Sequence, residues 1–557
     1  MYITKHYSKT SSGKTYRSIL LRESYRENGK VKNRTLANLK NLPDDMIDAL
    51  EVRLKHKNDL AALQTIQLPG IEIIQGKSIG DVLTIQHISK KLGISEALGS
   101  SFQGKLALWQ VMARIIGQGS RLSAVRLASE ECDVGSVLEL KRGFDENDLY
   151  KNLAWLADNQ TRIEDRLFQI RYGDGSKPNI FLYDVTSSYF EGTHNELAEF
   201  GYNRDKKTGK KQIVIGLLCD EEGDPLSTQV FRGNTQDPAT VSEQVKKIAE
   251  RFGCTDITFV GDRGMIKKGQ ITTLHQQGFH YITSITKPQI EKLLANEVIK
   301  TESFDVTICE IFENSVRYIL RKNPVRAKEL ERIREEKLMR INNAVNEENE
   351  YLENHVKADP SKALSRISGK IKRYKCHNWL TVTRDNRFLK LSLDSENLKE
   401  DAKLDGCYVV KTDLSADRMN AQAIHDRYKD LALVELAFRT EKTTHLELRP
   451  IYVQREKSTY GHVFTVMLSY LIIRYLAKHW GKINLKVEEG IRLLSKLCTQ
   501  ELHVPGREPQ VYIPTPINRE QQLLESIGLI LPKALKKVVV SIRTSKPIRK
   551  SAKTVNA

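Results

Sequence analysis

The stretch from residue 179 to 286 constrains the fold most, because it contains five β-like runs with helices only between the later ones. Its first three runs, NIFLYDVT, QIVIGLLCD and STQVFRGN, are apolar or β-branched, and a Glu-Glu-Gly-Asp-Pro turn joins the second to the third. They predict an antiparallel meander. A helix (239–253), a strand (256–262), a second helix near 267–277 and a strand (280–286) follow. The order β-β-β-α-β-α-β differs from a doubly wound sheet, which alternates strand and helix from its start.

Two aspartates come at the ends of apolar runs in this stretch. Asp184 follows the run FLY, and Asp262 follows the run ITFVG. A carboxylate beside a core is costly unless it is paired, hydrogen-bonded or bound to a metal. If the two strands are neighbours, the carboxylates need a compensating cation, and hard oxygen ligands select Mg²⁺ or Mn²⁺. Taken singly, each aspartate is also typical of a turn or a helix cap.

A third acid is predicted on a helix over residues 425–442, where the run LALVELAF supplies an apolar face. Seven residues rotate a helix by about 700°, close to two full turns, so Tyr428, Glu435 and Lys442 are expected on one stripe. Arg439 lies one turn beyond Glu435, and an ordinary amphipathic helix with a Glu435–Arg439 ion pair explains the same pattern. Together with the two aspartates, Glu435 completes a set of three carboxylates that suits two-metal phosphoryl transfer.

The charge of the chain favours a polyanionic partner. Its 88 Lys and Arg residues outnumber 70 Asp and Glu residues, which gives a formal net charge of +18. Nucleic acid is the commonest such partner of a cytoplasmic protein, and a merely soluble basic protein is the alternative. The longest apolar stretch, 463–473, is shorter than the ~20 residues of a bilayer span, and the polar N-terminus lacks a signal peptide, so we expect a cytoplasmic protein with no membrane association. The seven cysteines contain no C-x-x-C pair, which argues against a zinc ribbon.

Changes of pattern along the chain predict six regions. These are an N-terminal β element (1–42), a helical DNA-binding domain (43–175), the first part of a catalytic core (176–289), an insertion (290–405), the second part of the core (406–482), and a C-terminal helical region with a basic tail (483–557). Within them, Asn28-Gly29 marks a hairpin turn, and the charged stretch 326–357 predicts a long exposed helix.

These residues resemble the DDE transposases of bacterial insertion sequences, in particular the sixteen-thirty-four branch of the IS-four group. The opening segment ESYRENGKVKNRTL is similar to the N-terminus of that branch. The other matching segments are YDVTSSYFEG (183–192), GYNRDKK (201–207), IVIGLLCDEEGDPL (213–226), VFRGNTQD (230–237), FVGDRGM (259–265), the helix that carries Glu435, LELRP (446–450) and GHV (461–463).

The resemblance implies a multidomain α/β protein with an RNase H-like catalytic core, that is, a mixed five-stranded sheet with helices, interrupted by a β-rich insertion. It implies that Asp184, Asp262 and Glu435 form the metal-binding triad, with two Mg²⁺ or Mn²⁺ ions. Tyr428 and Lys442 would contact transposon-end DNA. The family's helix carries an arginine at the position of Leu431, so Arg427 or Arg439 would have to supply that cation from a neighbouring turn.

Three further residues are candidates for DNA contacts or for turns. Arg263 could touch a phosphate or pair with a carboxylate. Trp379, the only tryptophan of the insertion, is nominated to stack on a base that is flipped out during hairpin formation, with a core role as the alternative. Asp237 follows a strand in the segment GNTQD, which is typical of a turn.

The predicted function is cut-and-paste transposition of an insertion sequence: strand hydrolysis, hairpin formation on the transposon end, and joining of the 3′ end to target DNA. The partners would be double-stranded DNA, at terminal inverted repeats and target sites, and a second copy of the chain in a synaptic homodimer, in the cytoplasm at the nucleoid. The alternatives are a stand-alone RNase H-like nuclease or resolvase and a catalytically silent, transposase-derived DNA-binding protein. The presence of all three acids argues against the silent protein.

Overall fold

The structure is a computed structural model that describes residues 1–9, 15–27, 30–55, 72–173, 175, 177–443, 446–503, 510–532 and 534–545. Its contacts divide the chain into two units. The first unit comprises Met1–Arg171, Thr440–Arg449 and Val453–Ala557, and the second comprises Tyr172–Arg439 and Pro450–Tyr452. This division is coarser than the six predicted regions, whose boundaries stay predictions.

The strands of this part of the chain are β1 (Tyr2–Lys9), β2 (Thr15–Glu27), β3 (Lys30–Asn38), β4 (Glu72–Ser78), β5 (Ile180–Tyr189), β6 (Gln212–Asp220), β7 (Pro225–Arg232), β8 (Thr258–Gly261), β9 (His280–Ser284), β10 (Cys309–Glu313), β11 (Val316–Lys322), β12 (Leu380–Asp385), β13 (Phe388–Leu393), β14 (Cys407–Thr412), β15 (Cys498–His503) and β16 (Gln510–Tyr512). The helices are α1 (Asp44–Lys55), α2 (Gly80–Lys91), α3 (Ile94–Leu98), α4 (Phe102–Gly117), α5 (Arg121–Arg126), α6 (Val134–Val137), α7 (Glu146–Tyr172), α8 (Asp237–Lys246), α9 (Lys268–Gln276), α10 (Lys287–Ala295), α11 (Pro324–Asn354), α12 (Pro360–Arg373), α13 (Ser395–Ala402), α14 (Ala421–Lys429), α15 (Leu431–Lys442), α16 (Glu456–Trp480), α17 (Val487–Leu494) and α18 (Asn518–Ile527).

The predicted N-terminal β element is a three-stranded antiparallel sheet in the order β1-β2-β3. Strands β2 and β3 form the predicted hairpin, with Tyr25 opposite Lys32. Its turn residues, Asn28 and Gly29, lie outside the described residues. Helix α1 buries Ile47 and Leu50 in one apolar cluster with the strand residue Ile19.

The helical region of the first unit differs from the prediction in two respects. The spacing of apolar residues predicts two helices, at 147–158 and 160–170, but residues 146–172 form the single helix α7. Polar side chains at the predicted break make hydrogen bonds within the helix: Asn159 donates one to the Trp155 carbonyl oxygen, and Gln160 donates one to Glu164. In addition, β4 pairs with β15 in a small antiparallel sheet in the order β16-β15-β4. These partners are more than 400 residues apart, so local pattern could not reveal the pairing.

Helix α16 forms the centre of the first unit. The helical stretch Glu456–Ile483 is long and apolar enough to cross a bilayer by composition, but 72% of its most apolar window is buried inside the protein. It packs on α4, and the Ser469 hydroxyl donates a hydrogen bond to the Val111 carbonyl oxygen. This environment is that of a buried core helix, as its sequence predicted.

The second unit is built on one mixed sheet of eight strands in the order β10-β11-β14-β9-β8-β5-β6-β7. Strands β5, β6 and β7 form the predicted antiparallel meander, and β5, β8 and β9 run parallel to one another. The sheet has more than the five strands expected. Strand β14 pairs antiparallel with β9, and β11 and then β10 continue the sheet beyond β14. The buried Val409 and Val410 on β14 give this extension its apolar side chains.

The predicted insertion is more helical than its β-like runs suggested. Its runs at 309–322 belong to the large sheet, and only β12 and β13 form a separate hairpin. Helices α11 and α12 pack on that hairpin around a core that includes Ile341, Ile367 and Trp379. The long helix predicted from the charged stretch is confirmed as α11.

Candidate active site

The register of two parallel strands places the predicted aspartates side by side. Strand β5 pairs with β8 through Tyr183 opposite Gly261, and the next residue on each strand is an aspartate, Asp184 or Asp262. Neighbouring strands are about 4.8 Å apart, so the two carboxylates emerge at one point of the sheet. Asp262 ends its strand as predicted. Asp184 does not, because β5 continues to Tyr189 against the longer strand β6, where Asp184 lies opposite Leu217.

The half-buried carboxylate of Asp184 carries the clearest electrostatic signature of the site. Burial raises its pKa to about 7, and the negative charges of Asp262 and Glu435 act in the same direction. Two groups oppose the shift: the Val185 backbone N–H donates a 2.7 Å hydrogen bond to Oδ1, and the guanidinium of Arg204 attracts the ionised form. The three predicted acids therefore lie close enough to repel one another.

Tyr428 fixes the second aspartate. Its hydroxyl donates a hydrogen bond of 3.2 Å to Asp262 Oδ1 and lies 2.7 Å from the Ser284 hydroxyl at the end of β9. Burial raises the pKa of this phenol to about 12, and the Asp262 charge adds to the rise. The phenol consequently keeps its proton at neutral pH and can act as a donor.

The predicted single helix around Glu435 is two helices. The helix is interrupted at Asp430, so Tyr428 lies on α14 while Glu435 and Lys442 lie on α15, and the expected stripe spans two helices. Asp430 is the C-cap of α14, with φ −63° and ψ −13°, and its side chain pairs with Arg427 at 3.2 Å. Glu435 itself is exposed to solvent.

The cations proposed for this region differ in exposure. Arg263 and Arg439 are exposed, whereas Lys442 belongs to the first unit and is only 9% exposed. Leu431, at the position of the family's arginine, is buried among apolar neighbours. Arg263 and Arg439 therefore remain the more accessible candidates for phosphate contacts.

Trp379 does not have the environment of a base-stacking residue. It is 2% exposed and lies in the apolar core between α11, α12 and the β12–β13 hairpin. A ring enclosed in this way has no open face for a nucleobase. The structure therefore supports the core role, which was the alternative interpretation.

Sequence reasoning missed the pair formed by Arg204 and Asp237. The Arg204 guanidinium binds both carboxylate oxygens of Asp237, at 2.7 and 2.6 Å, and its charge also acts on Asp184. A side chain at Gly264 would lie 3.8 Å from Asp237 Oδ2 and 3.9 Å from Asp262 Oδ2, so Asp237 borders the same site. The only sequence signal was the presence of both residues in the segments that carry the resemblance, GYNRDKK and VFRGNTQD.

The donor chemistry of the site fits Mg²⁺ or Mn²⁺, because its acids offer hard oxygen ligands, and burial together with the charges of Asp262 and Glu435 raises the pKa of Asp184. Among the residues that the structure describes, however, no group of three or more His, Cys, Asp or Glu side chains is gathered closely enough to hold a metal ion.

Comparison with known proteins identifies the family. The family profile described as "Transposase DDE domain" matches residues 175–472, and that of the "IS1634 family transposase, N-terminal domain" matches residues 3–65. No curated protein matches the chain significantly.

Two solved structures match the chain with low sequence identity and low TM-scores. The cryo-EM structure of the piggyBac transposase synaptic complex with hairpin DNA shares 10% identity over 75% of this chain and 76% of that chain, with a TM-score of 0.36. The Mos1 transposase paired-end complex with the left transposon end shares 10% identity over 29% of this chain and 58% of that chain, with a TM-score of 0.15. Both scores are too low to carry a structural argument. The family profiles decide the matter: the chain belongs to the DDE transposases, and its N-terminal segment assigns it to the IS1634 family.

Proposed function

We propose that this transposase moves an insertion sequence by a cut-and-paste route, in which metal-dependent phosphodiester hydrolysis is followed by hairpin formation on the transposon end and by strand transfer. The observation that carries the proposal is the register of β5 and β8, which sets Asp184 beside Asp262. The influence of Glu435 on the Asp184 pKa brings the third acid into the same electrostatic environment.

The strand order supports an RNase H-like core for this chemistry. If the first five strands of the second unit are counted from β5, their order across the sheet is 3-2-1-4-5, with an antiparallel meander on one side and parallel strands on the other. The first, fourth and fifth strands of this arrangement lie beside one another. Acids on the first and fourth strands then share one edge without any contribution from the insertion.

Asp184, Asp262 and Glu435 would hold two Mg²⁺ or Mn²⁺ ions. When bound, the ions would activate the attacking oxygen and stabilise the leaving oxygen of the phosphodiester. The Tyr428 hydroxyl restrains Asp262, and the Arg204 guanidinium favours the ionised form of Asp184. Tyr428 therefore fixes the direction of the Asp262 carboxyl group, and Arg204 offsets part of the rise in the pKa of Asp184.

We further propose that double-stranded DNA, at terminal inverted repeats and at target sites, is the substrate, and that two copies of the chain act together on paired ends. The net charge of +18 favours binding to the phosphate backbone, and such binding weakens steeply with salt. Arg263, Arg439 and Tyr428 are the proposed DNA contacts near the acids, and Lys442 is a further proposed DNA contact. The helical region 43–175 is proposed to bind the terminal repeats. A cytoplasmic location at the nucleoid follows from this substrate.

The test is a comparison of three labelled DNA substrates with Mg²⁺ or Mn²⁺: a duplex taken from the boundary of the element, an unrelated duplex, and a branched junction. Transposition predicts cleavage confined to the boundary duplex and a product that migrates as a hairpin on a denaturing gel. Equal cleavage of all three substrates would instead favour a stand-alone nuclease or resolvase. Specific binding of the boundary duplex without cleavage under either metal would favour a silent DNA-binding protein.

A further inference from the structure

The connection between β5 and β6, residues 190–211, has features that the proposed active site does not explain. We call this segment the basic aromatic loop. From Phe200 onward it contains five lysines and arginines and one acid, and most of its residues are exposed. Lys210 pairs with Glu191 at 2.8 Å, whereas Lys206 and Lys207 form no ion pair with any residue that the structure describes. The segment 200–211 is therefore cationic, while the first part of the loop carries the acids Glu191, Glu196 and Glu199.

Two aromatic rings stand out from this surface. Phe200 is 62% exposed and Tyr202 is 82% exposed, although burial of such rings would stabilise a folded protein. Each ring has a cation beside it: Lys211 Nζ lies 5.8 Å from the Phe200 ring centre, and Arg204 Cζ lies 5.6 Å from that of Tyr202. Exposed rings interleaved with cations are the combination that binds single-stranded nucleic acid, because rings stack on bases and cations attract phosphates.

The loop also encloses a cavity of about 350 Å³. This volume lies within the range of about 300–1,000 Å³ that is typical of small-molecule sites. Phe190 and Phe200 contribute aromatic surface to its lining, and Asn195 and His194 contribute polar groups. Lys210 and Lys211 contribute positive charge, and Glu191, which pairs with Lys210, contributes one negative charge. The cavity thus combines a flat apolar surface with hydrogen-bonding groups and cations.

The loop is attached to the strand that carries Asp184. The Arg204 backbone N–H donates a 3.0 Å hydrogen bond to Ser187 Oγ on β5, and Asp205 accepts one from the Tyr189 backbone N–H at 3.2 Å. The Arg204 side chain also reaches Asp237 at the edge of the acid cluster. The end of the loop that carries Arg204 therefore borders the acids, whereas the cavity begins at Phe190, six residues or about 20 Å along β5 from Asp184.

We propose that the basic aromatic loop binds an unpaired segment of the DNA strand that extends from the acids, with one base on Tyr202, a further base in the cavity against Phe200, and phosphates on the lysines. This inference rests on the proposed function and adds a subsite for unpaired DNA to it. The charge selects a polyanion, and the open rings select bases that are free to stack, which a fully paired duplex does not offer.

The test uses the full chain carrying Asp184→Asn, so that binding is measured without cleavage. The probes are a duplex with a short single-stranded overhang that contains 2-aminopurine, and the same duplex fully paired. Phe200→Ala and Tyr202→Ala are each expected to weaken binding of the overhang DNA about tenfold and to reduce the fluorescence change, because stacking on an aromatic ring is lost. Phe200→Leu, which keeps apolar bulk, should show the same loss of fluorescence change. Binding of the paired duplex should not change.

Phe312→Ala is the matched control, because Phe312 is 61% exposed and has Arg317 beside its ring, 5.5 Å away, but lies outside the loop. Overhang binding that is unchanged in both loop variants would overturn the inference while leaving the proposed function intact. An equal loss in the Phe312 variant would also overturn it, since the effect would not be specific to the loop. A parent protein that binds neither probe would contradict the inference and the proposed function together.

Discussion

The carboxyl group of Glu441 predicts an unusual dependence of stability on pH. Glu441 lies near the end of α15, is 2% exposed, and its Oε1 has no hydrogen-bond partner among the described residues. Burial raises its pKa from 4.5 to about 8, and the positive charge of the neighbouring Lys442 offsets only part of the rise. The folded protein therefore holds a proton on Glu441 at neutral pH, while the unfolded chain has lost it.

The direction and size of the effect follow from this difference in pKa. Between pH 4.5 and about 8 the folded state binds the additional proton, so the contribution of Glu441 to the free energy of unfolding falls as the pH rises. Each pH unit in this window costs about 1.4 kcal/mol, and the whole window costs on the order of 5 kcal/mol. Glu441→Gln carries no ionisable group at this position and removes the dependence. The variant should equal the wild type in acid and exceed it in stability above pH 8.

The assay is thermal unfolding of wild type and Glu441→Gln from about pH 5 to about pH 9, over which the difference in Tm should grow to on the order of 10 °C. Glu525→Gln, which changes an exposed carboxyl group on α18, is the matched control and should leave the difference from wild type flat. A Tm difference between Glu441→Gln and wild type that does not vary with pH would refute the reasoning, because Glu441 would then be ionised in the folded protein.

Two further predictions concern packing and the acid cluster. Gly461→Ala should lower the free energy of unfolding by about 1–3 kcal/mol or more, because the added Cβ would lie 1.9 Å from the Leu153 carbonyl oxygen. Gly369→Ala, in open space on α12, should raise it by up to about 1 kcal/mol. Chemical denaturation measures both values, and equal effects would contradict the close approach of α16 to α7. Tyr428→Phe should slow DNA cleavage by about 10–100-fold with little change in Tm, because the Asp262 carboxyl group loses a hydrogen bond. An unchanged single-turnover cleavage rate would show that the Tyr428 hydroxyl does not position Asp262.

The order of elements in the second unit was predictable because each strand and helix has its own local sequence pattern. The meander from Ile180 to Arg232 reads as apolar runs separated by turns, and the two helices that follow have their own periodicity. The adjacency of Asp184 and Asp262 was only conditional in the sequence, because it depends on the pairing of β5 with β8. The end of β5 was not predictable from the sequence, because its last five residues are extended by pairing with β6 rather than by their own residue types.

The features that escaped prediction depend on contacts between distant residues. β4 finds its partner β15 only in the folded first unit, and β14 joins the sheet only because β9 has a free edge. The helix break at Asp430 was hidden by an apolar pattern that continues across it. The Arg204–Asp237 pair joins a loop to a helix start, so neither residue alone indicated its role.

The most direct test of the central claim is single-turnover cleavage of a labelled transposon-end duplex with Mg²⁺ or Mn²⁺ by wild type, Asp184→Asn, Asp262→Asn and Glu435→Gln. The matched control is Glu347→Gln, which changes an exposed carboxyl group on α11. The account predicts that the three amide variants bind the duplex as the wild type does but neither nick it nor form a hairpin, while the control cleaves normally. Cleavage at the wild-type rate by any of the three variants would contradict the assignment of these acids as the catalytic triad.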